Sequence, residues 1–237
     1  MSGKIITIEG LDGCGKSTQI ALMHSFLTRN NIKYKYIHYP RLNEGVYGGL
    51  IAAYLRGELG SLEVVSPKIV GLLFALDRFD HTPTIQAWLE EGYWIIMDRY
   101  VKSNIAFQCA KVSDAIEKQV LKDWINNLEF DHNKLPLPNL SFFLDVPFDI
   151  ITSSLENIRE GEDRAYLNGK TDIHEDSLSL QKEVLKEYRK LLEENSNFVQ
   201  IDCCDTDKNW LAPEKIHGKI LASLKAREEL DSKIGIS

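Results

Sequence analysis

Gly10, Gly15, Lys16 and Ser17 fit the spacing G-x-x-x-x-G-K-[ST] within the stretch IEGLDGCGKST. Glycines at this spacing let the backbone curl so that successive N–H groups point at phosphate oxygens, and a following helix N-terminus adds positive charge. Lys16 can reach the β- and γ-phosphates of a nucleoside triphosphate, and the Ser17 hydroxyl is placed to ligate its magnesium ion. The spacing therefore predicts a phosphate-binding loop made of Gly10, Leu11, Asp12, Gly13, Cys14, Gly15, Lys16, Ser17 and Thr18.

A second candidate ligand for the magnesium ion is Asp98, which ends the buried apolar run YWIIMD. A carboxylate at the end of such a strand can hold magnesium through water, although it can also simply cap a turn. Arg99 follows it directly. Four further arginines, Arg41, Arg78, Arg159 and Arg164, also lie after predicted strands, on a helix face or in a loop. Since guanidinium groups grip phosphate by two hydrogen bonds, these arginines indicate a second anion site, although each one alone could be a solvated surface charge.

Five β-branched or apolar runs that end in turns are predicted to be strands, and helical periodicity separates them. The predicted strands are Lys4–Ile8, Lys33–Tyr39, Tyr93–Asp98, Leu140–Val146 and Phe198–Asp202. The predicted helices are Lys16–Arg29, Val46–Leu55, Pro67–Phe79, Pro83–Glu91, Ser103–Ala110, Ser113–Asn126, one starting near Asp149, one over 178–192, and Pro213–Lys225. Alternation of strands and helices predicts a three-layer α/β/α fold, a five-stranded parallel sheet with ligands at the carboxyl ends of its strands.

The polar segment Arg159–His174 carries two glycines and is predicted to be a mobile lid loop. We expect residues 1–237 to form one domain, and the charged tail Arg227–Ser237 to fray.

Composition excludes several classes of function. The chain of 237 residues has 28 Lys and Arg against 35 Asp and Glu, a net charge of −7, so a nucleic-acid partner is not expected. No apolar run reaches the ~18 residues of a membrane span, and the first residues lack a secretory signal. We therefore expect a cytoplasmic protein that binds no membrane.

The four cysteines have no metal-site or disulfide spacing, so reduced thiols are expected. Cys14 could be activated as a thiolate by the helix N-terminus, but a small residue tolerated in the tight turn is the favoured reading.

Taken together, the segments EGLDGCGKSTQ, YPR, LLFALDR, DRYVKSNIAFQCAK, LDVP and EDRAYLNGKTDIHE resemble the thymidylate kinase family. The resemblance runs from the first strand to the long helix after the lid, and its most specific part is Asp98–Tyr100 with Asn104 and Phe107. It implies transfer of the ATP γ-phosphate to dTMP, with magnesium as cofactor, and a homodimer.

The resemblance also implies roles for individual residues. Phe74 would stack on thymine, Arg78 and Asn104 would hydrogen-bond its edge, and Phe107 or Tyr166 would crowd the sugar 2′ position. Arg41 and Arg99 would hold the 5′-phosphate, Ser103 would line the same site, and Asp12 would bind the 3′-hydroxyl. The catalytic residues would be Asp12, Lys16, Arg159 and Arg164. On the residues alone, ordinary core packing is the favoured interpretation of Phe74 and Phe107.

Two departures from the family matter. Some members carry an arginine after the loop aspartate, where this chain has Gly13, so the catalytic arginine would come from the lid as Arg159 or Arg164. Many relatives also have a glutamate between Pro40 and Arg41, and this chain has none.

Two rival functions fit the same motifs. A deoxynucleoside kinase would phosphorylate a hydroxyl and need a carboxylate base, and a nucleotide-dependent switch would have no small-molecule acceptor.

Overall fold

The computed structural model describes residues 3–156, 166–167, 171–175, 177–227 and 229, with the side chains of 153–156 left undescribed. The strands are β1 (Lys4–Glu9), β2 (Tyr34–His38), β3 (Trp94–Asp98), β4 (Leu140–Asp145) and β5 (Phe198–Asp202). The α-helices are α1 (Lys16–Arg29), α2 (Gly45–Leu55), α3 (Pro67–Glu90), α4 (Val101–Cys109), α5 (Ala115–Asn126), α6 (Phe148–Glu156), α7 (Leu178–Glu194) and α8 (Pro213–Ala226). A π-helical turn over Asn127–His132 continues α5.

The five strands form one parallel sheet in the order β2-β3-β1-β4-β5. Helices flank it in two groups, with α1 packed on α8, and α3, α4, α5 and α7 packed on one another. The central strands β1 and β3 are buried along nearly their whole length, as expected for a sheet covered on both faces. Because β1 and β3 are neighbouring parallel strands, the residues that follow them lie next to each other at the carboxyl ends of the strands. The predicted three-layer α/β/α fold is confirmed.

The phosphate-binding loop joins β1 to α1 through glycines in conformations that other residues rarely adopt. Gly10 has φ 148° and Gly15 has φ 90°. A Cβ at Gly10 would lie 2.6 Å from the Cys14 sulfur, so the buried thiol fills the space that this glycine leaves. Burial raises the pKa of Cys14, which favours the packing interpretation over an activated thiolate.

The helices predicted over Pro67–Phe79 and Pro83–Glu91 are wrong as separate elements, because α3 runs unbroken through Pro83. Proline removes one backbone donor and crowds the preceding turn, which normally ends a helix. Here Thr82 Oγ1 donates to the Arg78 carbonyl oxygen at 3.0 Å in that turn. Val70 and Ile85, on either side of the proline, are both buried, so packing along the helix outweighs the local cost.

Parts of two predicted segments lie outside the described residues. In the lid these are 159–165 and 168–170, which include Arg159 and Arg164, and in the tail they are 228 and 230–237. Residues 157–158 and 176, beside the lid, also lie outside the described residues.

Candidate active site

Two adjoining cavities open at the carboxyl ends of β1, β2 and β3. The larger, of about 820 Å³, is lined by the predicted residues Asp12, Gly13, Gly15, Lys16, Ser17, Thr18, Arg41, Asp98 and Arg99. The smaller, of about 150 Å³, is lined by the predicted residues Asp12, Phe74, Arg78, Arg99, Ser103, Asn104, Phe107 and Tyr166. Asp12 and Arg99 line both cavities, so they lie where the two meet. Gly10, Leu11 and Cys14 lie on neither wall and form the frame of the loop.

The larger cavity is built around the phosphate-binding loop. Lys16 Nζ donates to the carbonyl oxygens of Gly10 at 3.3 Å and Leu11 at 2.9 Å, and lies 3.9 Å from an Asp12 carboxylate oxygen. Its ammonium group is therefore held inside the loop. Ser17 is exposed at the start of α1 on the same cavity wall. Backbone N–H groups, one buried ammonium and a helix N-terminus together suit a polyphosphate.

Arg99 links the two cavities. Its backbone has φ 65°, a left-handed conformation that is unfavourable for a residue with a Cβ and that clusters at functional sites. Nη2 donates to Asp12 Oδ1 at 2.7 Å and Nη1 to the Gly10 carbonyl oxygen at 3.0 Å, while the guanidinium carbon lies 5.3 Å from the centre of the Phe107 ring. A guanidinium has five N–H donors, so these contacts leave donors over.

The pairing of Arg99 with Asp12 holds both groups in their charged forms. Burial alone would raise the pKa of Asp12, but the positive charges of Arg99 and Lys16 hold it well below its usual range. Burial alone would lower the pKa of Arg99, but Asp12 and other nearby groups raise it well above its usual value. Where the two cavities meet, Arg99 therefore stays positively charged and Asp12 stays negatively charged.

Asp98 has the free oxygen that a metal ligand needs. His38 Nδ1 lies 3.3 Å from Asp98 Oδ2, whereas the buried Oδ1 has no hydrogen-bond partner among the described residues. Burial would raise the pKa of Asp98, but His38, Lys16 and Arg99 lower it, so the carboxylate is ionised at neutral pH. In the described part of the chain, no cluster of three or more His, Cys, Asp or Glu side chains could hold a metal alone. The donor set fits magnesium that arrives with phosphates and keeps several of its waters.

The far end of the smaller cavity carries an aromatic ring and two polar groups. Phe74 lies on its wall, and Arg78 and Asn104 approach from α3 and α4. Both polar side chains contact the carboxylate of Glu129, which lies in the π-helical turn and is fully buried. Glu129 escaped sequence analysis because its partners are 51 and 25 residues away. The one available signal was an acid within the run INNLEF.

The middle of the smaller cavity is closed by residues of α4 and by residues of the lid segment. Phe107 stacks on His174 with ring centroids 5.2 Å apart, and Tyr166 Oη donates to Asp172 Oδ2 at 2.6 Å. Ser103 Oγ donates to Glu9 Oε2 at 2.5 Å, which turns it toward the buried network beneath the cavity. Burial raises the pKa of Glu9. His174, Asp172 and Glu9 were not predicted as site residues.

Arg41 lines the larger cavity but not the smaller one. Its Nε donates to Asp77 Oδ1 at 3.0 Å and its Nη2 to Asp80 Oδ2 at 2.9 Å. Asp77 is buried, so these contacts fix the arginine at the cavity rim. Its role in holding a 5′-phosphate stays a prediction.

Lys111, which lies two residues after the end of α4, contacts the lid segment, and its charge is costly there. Lys111 Nζ lies 2.9 Å from Tyr54 Oη, 3.0 Å from His174 Nε2 and 3.0 Å from Gln108 Oε1. Burial lowers the pKa of Lys111 from 10.5 to about 7. Between these values the folded protein binds fewer protons at Lys111 than the unfolded chain, so stability rises with pH.

We therefore expect wild type to gain unfolding free energy relative to Lys111→Met as the pH rises from 7 to 10, by at most about 1.4 kcal/mol per pH unit. Urea unfolding at several pH values measures this difference. Lys186→Met, which removes an exposed lysine charge on α7, is the control. A difference between wild type and Lys111→Met that stays constant over this range would contradict the assignment.

A glycine loop around a lysine after β1, with a buried carboxylate at the end of the neighbouring β3, defines a P-loop nucleotide-binding protein of the α/β class. A thymidylate kinase family profile matches residues 8–209. The chain belongs to the thymidylate kinase family.

The chain is similar to two known thymidylate kinases, one in sequence and one in structure. The thymidylate kinase of Plasmodium falciparum (isolate 3D7) is 33% identical over 145 residues, which make up 61% of this chain and 62% of that protein. The match thus spans less than two thirds of the relative's length. The solved structure of a thymidylate kinase from Candida albicans superposes with a TM-score of 0.72 over 99% of this chain and 97% of that one, at 24% identity. At that identity the similarity establishes the fold.

Proposed function

We propose that the protein phosphorylates dTMP to dTDP with ATP, and so supports dTTP synthesis. The observation that carries the proposal is the pair of adjoining cavities that share Asp12 and Arg99. A triphosphate in the larger cavity and a nucleoside monophosphate in the smaller one would bring their phosphates together at these two residues. In the smaller cavity, the ring of Phe74 suits a flat base, and Arg78 and Asn104 suit the polar edge of that base. Arg99, where the two cavities meet, suits a 5′-phosphate.

The reaction needs positioning more than covalent chemistry. An oxygen of the dTMP phosphate attacks the γ-phosphorus of ATP in line, the bond to the bridging β–γ oxygen breaks, and ADP leaves. The attacking oxygen is already ionised at neutral pH, so no general base is required. Lys16 would contact the transferred group, and Arg99 would hold the acceptor phosphate in line with it.

Asp12, kept ionised by Arg99 and Lys16, would accept a hydrogen bond from the 3′-hydroxyl of the sugar. Phe107, braced by His174, or Tyr166 would fill the space of a 2′-hydroxyl and favour deoxyribose. Ser17 and Asp98 would hold magnesium in part through water, and the ion would neutralise part of the charge on the phosphates. Arg159 or Arg164 from the lid would supply a further positive charge.

Two further parts of the proposal concern the protein's setting. We propose a homodimer that works in the cytoplasm on small molecules, without nucleic-acid or membrane partners. Among the described residues, no helix is both long and apolar enough to cross a bilayer.

A substrate panel tests the activity. With ATP and magnesium in a coupled ADP assay, dTMP is expected to stimulate ADP formation, while thymidine is expected to have no effect. Lys16→Met, which removes the loop cation, should abolish the signal and so controls for a contaminating kinase. Phosphorylation of thymidine in preference to dTMP would identify a deoxynucleoside kinase. ATP hydrolysis that is unchanged by any acceptor would instead favour a nucleotide-dependent switch.

A further inference from the structure

Glu9, the last residue of β1, is a fully buried carboxylate that the proposed reaction does not use. Its Oε1 accepts a hydrogen bond from the backbone N–H of Tyr100 at 2.9 Å. Its Oε2 accepts from Ser103 Oγ at 2.5 Å and from Tyr188 Oη at 3.2 Å. These donors belong to the turn after β3, to α4 and to α7, so one carboxylate joins three elements to the start of the phosphate-binding loop.

The end of β1 holds the left-handed backbone of Arg99 from both sides. The N–H of Arg99 donates to the Ile8 carbonyl oxygen at 3.0 Å, and the next N–H, that of Tyr100, donates to the Glu9 carboxylate. A left-handed residue with a Cβ persists only where the surrounding contacts determine its conformation. Any residue at position 8 would supply the first of these acceptors, whereas the second one needs the side chain of Glu9.

Glu9 also determines which way the Ser103 hydroxyl points. A carboxylate can only accept, so the Ser103 hydrogen lies toward Glu9 and the hydroxyl oxygen keeps its lone pairs for other donors. Arg99 Nη1 lies 3.4 Å from this oxygen, and the same nitrogen donates to the Gly10 carbonyl oxygen at 3.0 Å. The end of β1 and the first residue of the loop thus hold Arg99 through its backbone and through its guanidinium.

The surroundings of Glu9 suit an ionised carboxylate. Burial raises the pKa of Glu9, while the Ser103 hydroxyl and the positive charges of Lys102 and Arg99 act in the opposite direction. Three hydrogen-bond donors face its two oxygens, and a carboxylate can accept from all of them at once. A neutral side chain of the same size would leave at least one of these buried donors without its acceptor.

We propose that Glu9 is a positioning residue that places Arg99 to receive the acceptor phosphate. The inference rests on the proposed function, in which Arg99 holds the 5′-phosphate of dTMP. Glu9 lines neither of the two active-site cavities, so it would act on the substrate only through Arg99 and its neighbours. Because Glu9 fixes the backbone beside Arg99 before the substrate arrives, it would lower the ordering cost of binding.

Glu9→Gln tests the proposal, because an amide can serve only one side of the network. If its oxygen accepts from Tyr100, its NH₂ group faces the hydroxyls of Ser103 and Tyr188; if the amide is turned, the NH₂ group opposes the Tyr100 N–H. Calorimetric titration without ATP is expected to show dTMP binding about 10-fold weaker than in wild type, the effect of about one hydrogen bond. ATP affinity is expected to change less, since the loop keeps its own backbone donors.

A double-mutant cycle with Arg99→Ala separates positioning from a general loss of structure. If Glu9 acts through Arg99, Glu9→Gln should weaken dTMP binding by less than about 2-fold in the Arg99→Ala background, where the group that it positions is absent. A side chain that merely supports the fold would cost the same affinity in both backgrounds.

A second variant and a control complete the experiment. Ser103→Ala removes one link of the network and serves where Glu9→Gln melts below the assay temperature. Its loss of dTMP affinity is expected to be smaller than that of Glu9→Gln and to vanish in the Arg99→Ala background. Leu224→Ala, which empties a buried position of α8, is expected to lower the melting temperature and to leave dTMP affinity unchanged.

Three results would overturn the proposal. The first is wild-type dTMP affinity in Glu9→Gln, and the second is an equal loss of affinity with and without Arg99. The third is a loss of ATP affinity as large as that of dTMP affinity, because Glu9 would then hold the loop rather than Arg99. If wild type binds no dTMP, the proposed function fails, and the same cycle is measured by urea unfolding, where strictly additive effects of the two substitutions would refute the coupling of Glu9 to Arg99.

Discussion

An Arg99→Ala variant is expected to bind dTMP about 100-fold more weakly, because at least one charged, two-pronged contact worth ~3 kcal/mol is lost. The left-handed backbone at φ 65° burdens alanine and arginine alike, so the exchange adds little new strain. Removing the guanidinium also takes away the main positive partner of Asp12, and this carboxylate would bind the sugar. Calorimetric titration with dTMP, without ATP, measures the loss directly.

Arg99→Lys separates charge from geometry. It keeps a cation but not the fork, so we expect an affinity between those of wild type and Arg99→Ala. Arg29→Ala, which removes an exposed arginine at the end of α1, should bind dTMP as wild type does. Equal dTMP affinity of Arg99→Ala and wild type would mean that the second anion site lies elsewhere.

The sequence was most informative where function depends on local order in the chain. The phosphate-binding loop, α1 and the acid that ends β3 are each encoded within about a dozen residues. Their glycines, hydrophobic runs and capping positions act over one or two turns of backbone. The parallel pairing of β1 with β3 places Asp98 beside the loop, and this pairing is not encoded in either segment alone.

What the sequence concealed is the set of carboxylates that hold the cations. The sequence predicts a second anion site made of arginines but names no carboxylate partner for them. In the structure Arg41 contacts Asp77, Arg78 contacts Glu129 and Arg99 contacts Asp12. These partners lie 36, 51 and 87 residues away in the chain, so no spacing rule connects them. The continuous α3 was missed for the same reason, because burial of distant faces outweighed the local effect of Pro83.

The paired cations change the expected mechanism of binding. An unpaired buried arginine would be disordered or costly, while a carboxylate that holds part of its fork aims the remaining donors. A phosphate arriving at Arg99 would thus meet a side chain whose rotamer is already fixed by Asp12 and Gly10. Pre-organisation of this kind lowers the ordering cost of binding.

In an Arg164→Ala variant, kcat is expected to fall by about 10³-fold or more with dTMP affinity nearly unchanged, because an arginine supplied to a transferring phosphoryl group acts mainly on the transition state. The resemblance to the family places the loop arginine of some members at Gly13, so we expect the lid to supply this charge. In the sequence, Arg164 comes two residues before Tyr166, which lines the smaller cavity, and this proximity in the chain makes it the first choice. Arg159 comes seven residues before Tyr166 in the sequence.

Steady-state kcat for dTMP phosphorylation and calorimetric dTMP binding, measured on the same preparation, separate the two effects. Arg159→Ala is the matched control, since it removes the same charge from the same segment. A collapse of kcat in Arg159→Ala alone would transfer the role to that residue. If kcat survives in both single variants and in the double variant, no lid arginine assists the transfer, and Lys16 and Arg99 would have to neutralise the phosphoryl group by themselves. Phosphoryl transfer to water provides a further check, since a lid charge that reaches the γ-phosphate only on closure should affect dTMP-dependent turnover more than slow ATP hydrolysis.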